Sequence, residues 1–542
     1  MLLTKLCRYG LALSTASTIV MGFPILGEAQ DQTLRTTREV VDPDPPEASR
    51  VPLRALTRVE REQMLRRVQE RREAIASQAR PEPEKNDSAL PDETVPATDI
   101  GRSSLRVPGT LVIGRNAKNT RAELAGNSTL AEPAAANWYG KVVYAGNFSH
   151  LERSTNHGVS YTNIAIPGGP TDAPTACCDN DIVIDNSGVA YHSLLYLNAA
   201  QTNGVVRIFV RRQANNFATS CSYTHDPAGA NNNIVPDYPH IRLSKNYLYL
   251  TYNATGTGGG FVRIRRYTLS QMRNCQSVSV RSFTKNWTNI GGQRVWTPAE
   301  GAYDQTRMMW IHHETSSRVR IYEWLESSTS ITSTTRNVQS SSFTNPDCRG
   351  GTGNFDFIER STSYSIAGFR TRCTMAVGSN QPSGGVLACY WHSAPIGSQP
   401  NGHIRAAHFS ITSKNVLSQP HIWSRNYCYG YPAVSSNLRG AIGYSLAYGG
   451  KNGGGGPAVQ GAVGMFDTFG RNLKKSATGV AMRNDHRFGD YFTIHHYRGC
   501  RYWFGATSYA WDSSPVDNPN DVNARWVEFG READQTCWQN GQ

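Results

Sequence analysis

The sequence predicts an all-β fold, a β-propeller of four-stranded blades, and three observations support that class. The composition, with 18% charged residues, 49 Gly, 25 Tyr and 11 Trp, is typical of short strands joined by tight turns. From about Trp138 onward, apolar and polar residues alternate, and Gly, Asn and Ser separate the runs. A polar start, a short apolar strand, a turn and an aromatic strand then recur at spacings of roughly 60 residues.

Five copies of this plan are clear in the chain. They span residues 181–197, 237–252, 298–312, 431–448 and 489–509. A further copy lies upstream, around 138–166, and Phe355-Asp356-Phe357 predicts the start of a degenerate copy in the double gap before Tyr431. The count is seven blades, with six or eight as alternatives; a two-sheet sandwich is the rival fold, but it would give no such period.

Residues 1–105 differ in composition and residue pattern from the rest of the chain. Lys5 and Arg8 precede an apolar run, and Gly27-Glu28-Ala29 offers a cleavage site, so residues 1–29 are predicted to be a signal peptide, with an uncleaved membrane anchor as the alternative. Residues 30–105, with a helix from about Thr57 to Arg80 followed by a Pro-containing linker, read as an arm or pro-segment. The propeller domain is predicted to span 106–542.

The cysteines indicate an oxidising compartment. One of the 11 lies inside the predicted signal peptide, which leaves an even number in the mature chain, as expected of a disulfide-bonded protein that is secreted, periplasmic or at the cell surface. Local pairing predicts bridges 221–275, 348–373, 389–428 and 500–537. That choice leaves Cys177 and Cys178 to form a vicinal disulfide, although pairing of each with another cysteine stays open.

The formal net charge of +13 favours an anionic partner such as an acidic glycan. Solubility alone is an equal explanation, because the arginines are scattered. Nucleic acid is not the expected partner, and the sequence does not predict an oligomeric state.

The segment from Ser154 to Tyr161 resembles the Asp-box of the sialidase-like (BNR-repeat) propellers, which reads Ser-x-Asp-x-Gly-x-Thr-Trp. Asn156 stands for the Asp, Ser160 for the Thr and Tyr161 for the Trp. The resemblance implies a turn between two outer strands of a blade. The motif is structural, so it implies no activity.

Two further segments, Cys177-Cys178-Asp179 and Phe488-Gly489-Asp490-Tyr491, resemble the C-C-D and G-D-Y segments of exported bacterial propellers of the same class. Sialidases use an arginine triad, a Tyr/Glu nucleophile pair and an Asp acid. No residues of this sequence can be matched to that set, and the Arg-Ile-Pro segment that sialidases have early in their chains is missing here. No catalytic residue is therefore transferred from sialidases.

The starts of the inner strands of a propeller converge on one end of its central channel, and in this chain those positions are rich in carboxylates. The predicted acid/base groups are Asp179, Asp237, Glu300, Asp356 and Asp490. The predicted substrate-binding residues are Tyr238, His240, Tyr431, Arg487, Tyr491, Cys177 and Cys178. For any single acid, the competing interpretation is a structural cap that hydrogen-bonds a neighbouring blade.

Paired carboxylates are the groups that glycoside cleavage needs, and a planar guanidinium such as that of Arg487 suits a substrate carboxylate. The first hypothesis is therefore a glycosidase or polysaccharide lyase that acts on an extracellular, anionic glycan. The alternative is a non-catalytic lectin, adhesin or surface-assembly protein that uses the same end of the channel. The cofactor stays open; oxygen ligands of this kind also suit a divalent cation such as calcium.

Overall fold

Short runs of alternating residues form 34 strands within the part of the chain that the structure, a computed structural model, describes. The described residues are 36–40, 42–47, 109–119, 132–146, 150–227, 234–256, 259–287, 295–344, 346–351, 353–358, 371–467, 470–480, 488–489, 492–511 and 522–540. They all belong to one compact unit, Arg35–Gln542. The predicted signal peptide and the predicted helix near Thr57 lie outside the described residues.

Three strands precede the first blade: β1 (Thr36–Val40), β2 (Asp42–Glu47) and β3 (Leu111–Lys118). Blade 1 contains β4 (Ala134–Trp138), β5 (Lys141–Gly146), β6 (His150–Ser154) and β7 (Thr162–Asn163). Blade 2 contains β8 (Thr175–Ala176), β9 (Asp181–Ile184), β10 (Val189–Leu197), β11 (Gly204–Arg212) and β12 (Thr219–His225). Blade 3 contains β13 (Ile234–Leu243), β14 (Tyr247–Gly256), β15 (Gly259–Thr268) and β16 (Val278–Asn286).

Blade 4 contains β17 (Arg307–Thr315), β18 (Arg318–Leu325) and β19 (Ser330–Asn337). A small sheet follows, which contains β20 (Cys348–Gly350) and β21 (Phe355–Asp356) and is completed by a later strand, β29. Blade 5 contains β22 (Arg372–Ala376), β23 (Val386–Ser393), β24 (His403–Ser410), β25 (Val416–Ser418) and β26 (His421–Ile422). Blade 6 contains β27 (Cys428–Ser436), β28 (Ile442–Gly449), β30 (Gln460–Asp467) and β31 (Gly470–Ala477), with β29 (Lys451–Asn452) between them in sequence.

Blade 7 contains β32 (Ile494–His496), β33 (Phe504–Ser508) and β34 (Arg525–Arg531), and β3 pairs with β34 as its outermost strand. Two short helices lie outside the sheets, α1 (Leu269–Arg273) and α2 (Gln535–Asn540), together with 3₁₀ turns at Gln213–Asn215 and Glu532–Asp534. In the described part of the chain, no helix has the length and apolar character that crossing a bilayer requires.

The seven blades form a ring around a central channel. Inner strands make successive contacts, namely β4 with β9, β9 with β13, β17 with β22, β22 with β27, β27 with β32, and β32 with β4. In blade 4 the innermost segment lies beside β17, where the Ala299 N–H donates to the Met309 carbonyl at 2.9 Å. An N-terminal strand completes the last blade, because β3 pairs with β34. The chain is therefore a seven-bladed β-propeller, as its repeat predicts.

The start of blade 5 differs from the prediction. Strand β21, which contains Asp356, pairs with β20, and β20 pairs with β29, so this segment belongs to a separate three-stranded sheet. The inner strand of blade 5 is β22, which begins at Arg372. The predicted degenerate copy at Phe355 was therefore wrong by about one strand position, because the Arg372 start has no Pro or Gly to mark it.

Five disulfides connect described cysteines, and three of them match the predicted pairs: 177–178, 221–275 and 500–537. The other two predicted pairs were wrong. Cys373 bonds Cys389, which lies directly opposite it in the β22–β23 ladder. Cys348 bonds Cys428 and joins the small sheet to the start of blade 6. Pairing the cysteines in consecutive order misled the prediction, because the hairpin register brings Cys373 and Cys389 face to face.

The segment that resembles the Asp-box forms the turn between β6 and β7, the two outer strands of blade 1. The Asn156 side chain donates to the Ser160 hydroxyl at 2.9 Å and accepts from the Ser160 N–H at 3.0 Å. The Gly158 N–H donates to the Ser154 hydroxyl at 2.9 Å. Asn therefore supplies the turn-closing hydrogen bonds from the position that the motif gives to Asp.

Two strands of the predicted N-terminal arm pair with outer blade edges. Strand β1 pairs with β19 of blade 4, and β2 pairs with β16 of blade 3. Both pairs are antiparallel. The arm therefore contributes edge strands to two neighbouring blades in addition to its linking role.

Candidate functional site

Three inner strands are distorted near their starts by a residue other than glycine in the left-handed region. Asp179, Tyr238 and Tyr431 have φ angles of 56°, 59° and 55°. In β13 and β27 the ladder register shifts at the same place. Residues other than glycine rarely adopt positive φ, and those that do often lie at functional sites. These three positions face the same end of the channel, which we call the mouth.

At the mouth, blade 2 begins with the vicinal disulfide of Cys177 and Cys178, followed at once by Asp179. Cys177 is fixed to the blade, because its N–H donates to the Leu195 carbonyl at 2.8 Å. Both cysteines are buried. The disulfide therefore forms a rigid, apolar part of the mouth wall.

A buried carboxylate and a partly exposed one lie at the junction of blades 2 and 3. Asp179 Oδ2 accepts the N–H of Tyr238 at 3.3 Å, and Asp237 is the residue directly before that N–H. Asp179 is buried, whereas Asp237 is partly exposed and accepts from Asn253 Nδ2 at 3.4 Å. The mouth thus contains a carboxylate pair with one shielded member and one accessible member.

Below the mouth, a chain of ion pairs links the inner segments of blades 2, 3 and 4. Arg242 Nη1 donates to Asp181 Oδ2 at 2.5 Å, and Arg242 Nε lies 2.5 Å from Glu300 Oε1. One guanidinium on blade 3 thus joins a carboxylate on blade 2 to a carboxylate on blade 4. All three side chains are buried, so the charges compensate one another in a region of low solvent access.

Arg372 extends this chain towards the mouth. Its Nη2 lies 3.1 Å from His240 Nε2, and its guanidinium lies over the Tyr238 ring, 5.7 Å from the centroid. Since arginine can only donate, Nε2 of His240 must accept. The imidazole proton then sits on Nδ1, 3.2 Å from Asp181 Oδ2.

At the other end of the chain, Tyr303 and His495 surround Glu300. The Tyr303 hydroxyl donates to Glu300 Oε2 at 3.0 Å, and His495 Nδ1 lies 3.4 Å from Glu300 Oε1. Arg498 lies over the Tyr303 ring at 4.6 Å. We call Asp181, His240, Arg242, Glu300, Tyr303, Arg372 and His495 the axial network.

The electrostatics of the axial network keep both carboxyl groups ionised. Burial raises the pKa of Asp181, but Arg242 and the hydrogen bonds from His240 and the Ile241 N–H outweigh burial, so the pKa lies well below the ordinary value. For Glu300, burial is likewise outweighed by Arg242 and His495, and the pKa is lowered. Burial and Arg372 lower the pKa of His240 to about 3. Neither acid of the network therefore holds a proton to donate at neutral pH.

Little free space is left beside these side chains. A cavity of about 10 Å³, lined by Arg242, Glu300, Arg372, Phe492 and neighbouring residues, has room for about one water molecule. Around Arg242, Glu300 and Arg372 the described part of the channel is therefore occupied by side chains. An incoming ligand would meet the mouth, where Asp237 is partly exposed.

Other predicted residues are buried below the mouth surface or lie outside the residues that the structure describes. Asp356 is buried and caps backbone, since Oδ1 accepts the N–H groups of Cys348 and Ile358. Tyr431 is buried, and its hydroxyl donates to the Phe357 carbonyl at 2.7 Å. Three predicted residues lie outside the described residues: Arg487, Asp490 and Tyr491.

Sequence reasoning missed several members of the axial network, namely Asp181, Arg242, Tyr303, Arg372 and His495. Arg242 had a usable signal, because residues two apart on a strand share a face and His240 was already a candidate. Arg372 had none, since its blade start was assigned to Phe355. Among the described residues, no group of three or more His, Cys, Asp or Glu side chains is arranged to hold a metal ion.

No protein-family model matches the chain, and no curated protein matches it. Solved structures do match. An ancestral GH74 enzyme is 11% identical with a TM-score of 0.42, over 74% of this chain and 48% of that one. The GH93 alpha-L-arabinofuranosidase of Fusarium graminearum with arabinobiose is 9% identical with a TM-score of 0.35, over 74% and 92% of the two chains.

A mutant of Trypanosoma rangeli sialidase displaying trans-sialidase activity is 10% identical with a TM-score of 0.34, over 79% of this chain and 60% of that one. This chain thus spans about half of the GH74 enzyme. At such identities and TM-scores, the activity of a matched protein says nothing about this one.

Proposed function

We propose that this chain is an exported carbohydrate-active propeller that binds an extracellular, anionic glycan at its mouth and cleaves it as a glycosidase or polysaccharide lyase. The observation that carries the proposal is the carboxylate pair, in which buried Asp179 accepts the N–H that directly follows partly exposed Asp237. Acid/base cleavage of a glycoside requires two carboxyls in different surroundings.

The groups around the pair support an anionic sugar. Buried Arg372 places a guanidinium over the buried Tyr238 ring, and its positive charge favours an anionic sugar at the mouth. The buried vicinal disulfide of Cys177 and Cys178 rigidifies the backbone that leads directly into Asp179. In this proposal Asp237 acts as the accessible acid or base, and Asp179 tunes and positions it.

Glu300 has a different role in the proposal from the one predicted. Because Arg242 and His495 lower its pKa and Tyr303 donates to it, Glu300 is suited to positioning. It fixes Arg242, which fixes Asp181, and Asp181 in turn orients His240 beneath Arg372. The axial network thus acts as the support of the mouth.

A second candidate function, a non-catalytic lectin, adhesin or surface-assembly protein, is favoured by one observation. The described channel is filled by the axial network, and the predicted mouth residues in the described range are buried, apart from Asp237. A shallow recognition surface fits that geometry as well as a shallow active site does.

The deciding experiment combines a glycan array with assays of reducing-sugar release and of the ultraviolet absorbance of unsaturated lyase products. The variants are Asp237→Asn and Arg372→Gln, with Asp304→Asn, an exposed acid near the opposite end of the channel, as the matched control. Catalysis predicts a loss of turnover of about a hundredfold or more for Asp237→Asn and no change for Asp304→Asn. Binding without turnover in the wild type would select the lectin function, and the absence of both would refute the proposal.

A further inference from the structure

Three tyrosines cluster at the mouth end of blade 6, apart from the carboxylate pair. Tyr427 directly precedes β27, Tyr429 lies near its start, and Tyr448 lies near the end of β28. The ring centroid of Tyr427 is 5.7 Å from that of Tyr429 and 5.2 Å from that of Tyr448, and Tyr429 and Tyr448 are 6.1 Å apart. The three rings therefore form one continuous aromatic cluster, the tyrosine platform.

The members of the platform differ in exposure. Tyr429 is buried against the hydrophobic core between blades 5 and 6, whereas Tyr427 and Tyr448 are only partly buried against that core. Burial and the neighbouring Tyr427 raise the pKa of both Tyr429 and Tyr448, so these phenols stay protonated at neutral pH. The platform thus presents aromatic carbon and neutral hydroxyl groups to solvent.

Covalent and backbone contacts hold the platform in place. Cys428, between Tyr427 and Tyr429, is bonded to Cys348 of the small sheet. The Tyr429 N–H donates to the Gly402 carbonyl at 2.9 Å, and the Asn452 N–H donates to Asn401 Oδ1 at 2.9 Å beside it. A surface fixed in this way loses little conformational entropy when a ligand binds.

We propose that Tyr427 and Tyr448 form a stacking subsite for a sugar ring of the glycan, on the same end of the propeller as the mouth. The proposal rests on the proposed function and adds to it a second point of contact along the glycan. Rigid tyrosines combine a large contact area with a polar tip, which suits the apolar face and hydroxyl rim of a sugar.

The placement supports one glycan chain that reaches both sites. Tyr429 and Tyr431 lie on the same strand, β27, and Tyr431 is one of the left-handed residues at the mouth. Arg425, two residues before Tyr427, is exposed and adds positive charge near the platform. An acidic oligosaccharide longer than a disaccharide is therefore the ligand class expected to use the platform fully.

The test titrates the full mature chain with three probes, namely oligogalacturonides, sialyllactose and arabinan oligosaccharides, by calorimetry. The variants are Tyr427→Ala and Tyr448→Ala, and the matched control is Tyr139→Ala, a tyrosine 53% exposed in the turn between the first two strands of blade 1, at the opposite end of the propeller. We expect a loss of affinity of about tenfold for each platform variant, larger for longer oligosaccharides, and no change for the control.

Three further variants keep the test decisive if truncation to Ala disturbs the core. Tyr427→Phe and Tyr448→Phe retain the ring and should retain affinity, whereas Tyr448→Leu keeps apolar volume without a stacking face and should lose it. Unchanged affinity in the Ala and Leu variants, while Asp237→Asn weakens binding, would overturn the platform and leave the proposed function standing. Failure of the wild type to bind any of the three probes would overturn both.

Discussion

The Asp179 carboxylate accepts a hydrogen bond from the backbone N–H of Tyr238, 3.3 Å away. Both residues have positive φ angles, and they begin the inner strands of neighbouring blades. The contact therefore joins the distorted segments of two neighbouring blades.

Neutralising a carboxylate should lower the unfolding free energy more in the axial network than at the mouth. Glu300 is buried and lies 2.5 Å from Arg242, so Glu300→Gln leaves a buried guanidinium undercompensated and should cost about 3 kcal/mol of unfolding free energy. Asp237 is partly exposed and accepts from Asn253 at 3.4 Å, so Asp237→Asn should change stability by no more than about 0.5 kcal/mol. Denaturant unfolding of both variants measures the difference, and equal losses would contradict the assigned roles.

The two disulfides whose pairing differs from the prediction should contribute differently to the unfolding free energy. Peptide mapping of the non-reduced chain should find the 348–428 and 373–389 pairs, and alkylation without reduction should find no free thiol among the five bridges. The 348–428 bridge closes a loop with a sequence separation of 80, against 16 for 373–389. In the chain-entropy account, their removal costs about 4.5 and about 3 kcal/mol respectively. A larger loss for the double variant at 373 and 389 would contradict that account.

The repeat in the sequence was sufficient to predict the fold because each blade must bury the same faces. Alternation and aromatic strands therefore recur, and the starts at Asp237, Pro298 and Tyr431 were all identified correctly. The start at Arg372 was not, because the Phe355-Asp356-Phe357 segment before it shows the same polar and aromatic pattern although it pairs with β20. The propeller period thus gave the blade count, but it did not give every boundary.

The candidate site was only partly predictable. The sequence indicates which residues approach the channel, and Asp179, Tyr238 and His240 do so. It does not give the positions of strands from different blades relative to one another along the channel axis. Those positions allow Arg242 to reach both Asp181 and Glu300. Ionic pairing across three blades is a property of the closed ring, so no local pattern encodes it.

Two N-terminal deletions should distinguish the role of the edge strands β1 and β2 from that of β3, the strand that closes the ring. Removal of residues 1–105 deletes β1 and β2, which pair only with the outer strands β19 and β16, so the remaining chain should still melt cooperatively. Removal of residues 1–119 also deletes β3, which pairs with β34 and buries Leu111 in the core. The longer deletion should aggregate or lose its cooperative transition in calorimetry. Cooperative melting of both deletions would show that β3 is dispensable for ring closure.

Buried histidines should make the propeller sensitive to mild acid. Burial is the largest cause that lowers the pKa of His240, His313 and His408 to about 3, against an ordinary value near 6.5. Between these two values the unfolded chain binds protons that the folded chain does not. Unfolding free energy is therefore fully present above about pH 6.5 and falls as the pH is lowered towards 3.

His408 offers the cleanest test of this effect, because it lies far from the mouth. Its Nε2 is 3.1 Å from the Tyr390 hydroxyl and its Nδ1 is 3.1 Å from the Ser418 hydroxyl, contacts that a glutamine can partly replace without titrating. His408→Gln should reduce the slope of unfolding free energy against pH by about 1.4 kcal/mol per pH unit between about pH 4 and 6. Urea unfolding at several pH values measures the slope, with Ser418→Ala as the control that keeps the imidazole. An unchanged slope in His408→Gln would mean that this histidine is protonated in the folded chain, and its burial would then need a compensating acid.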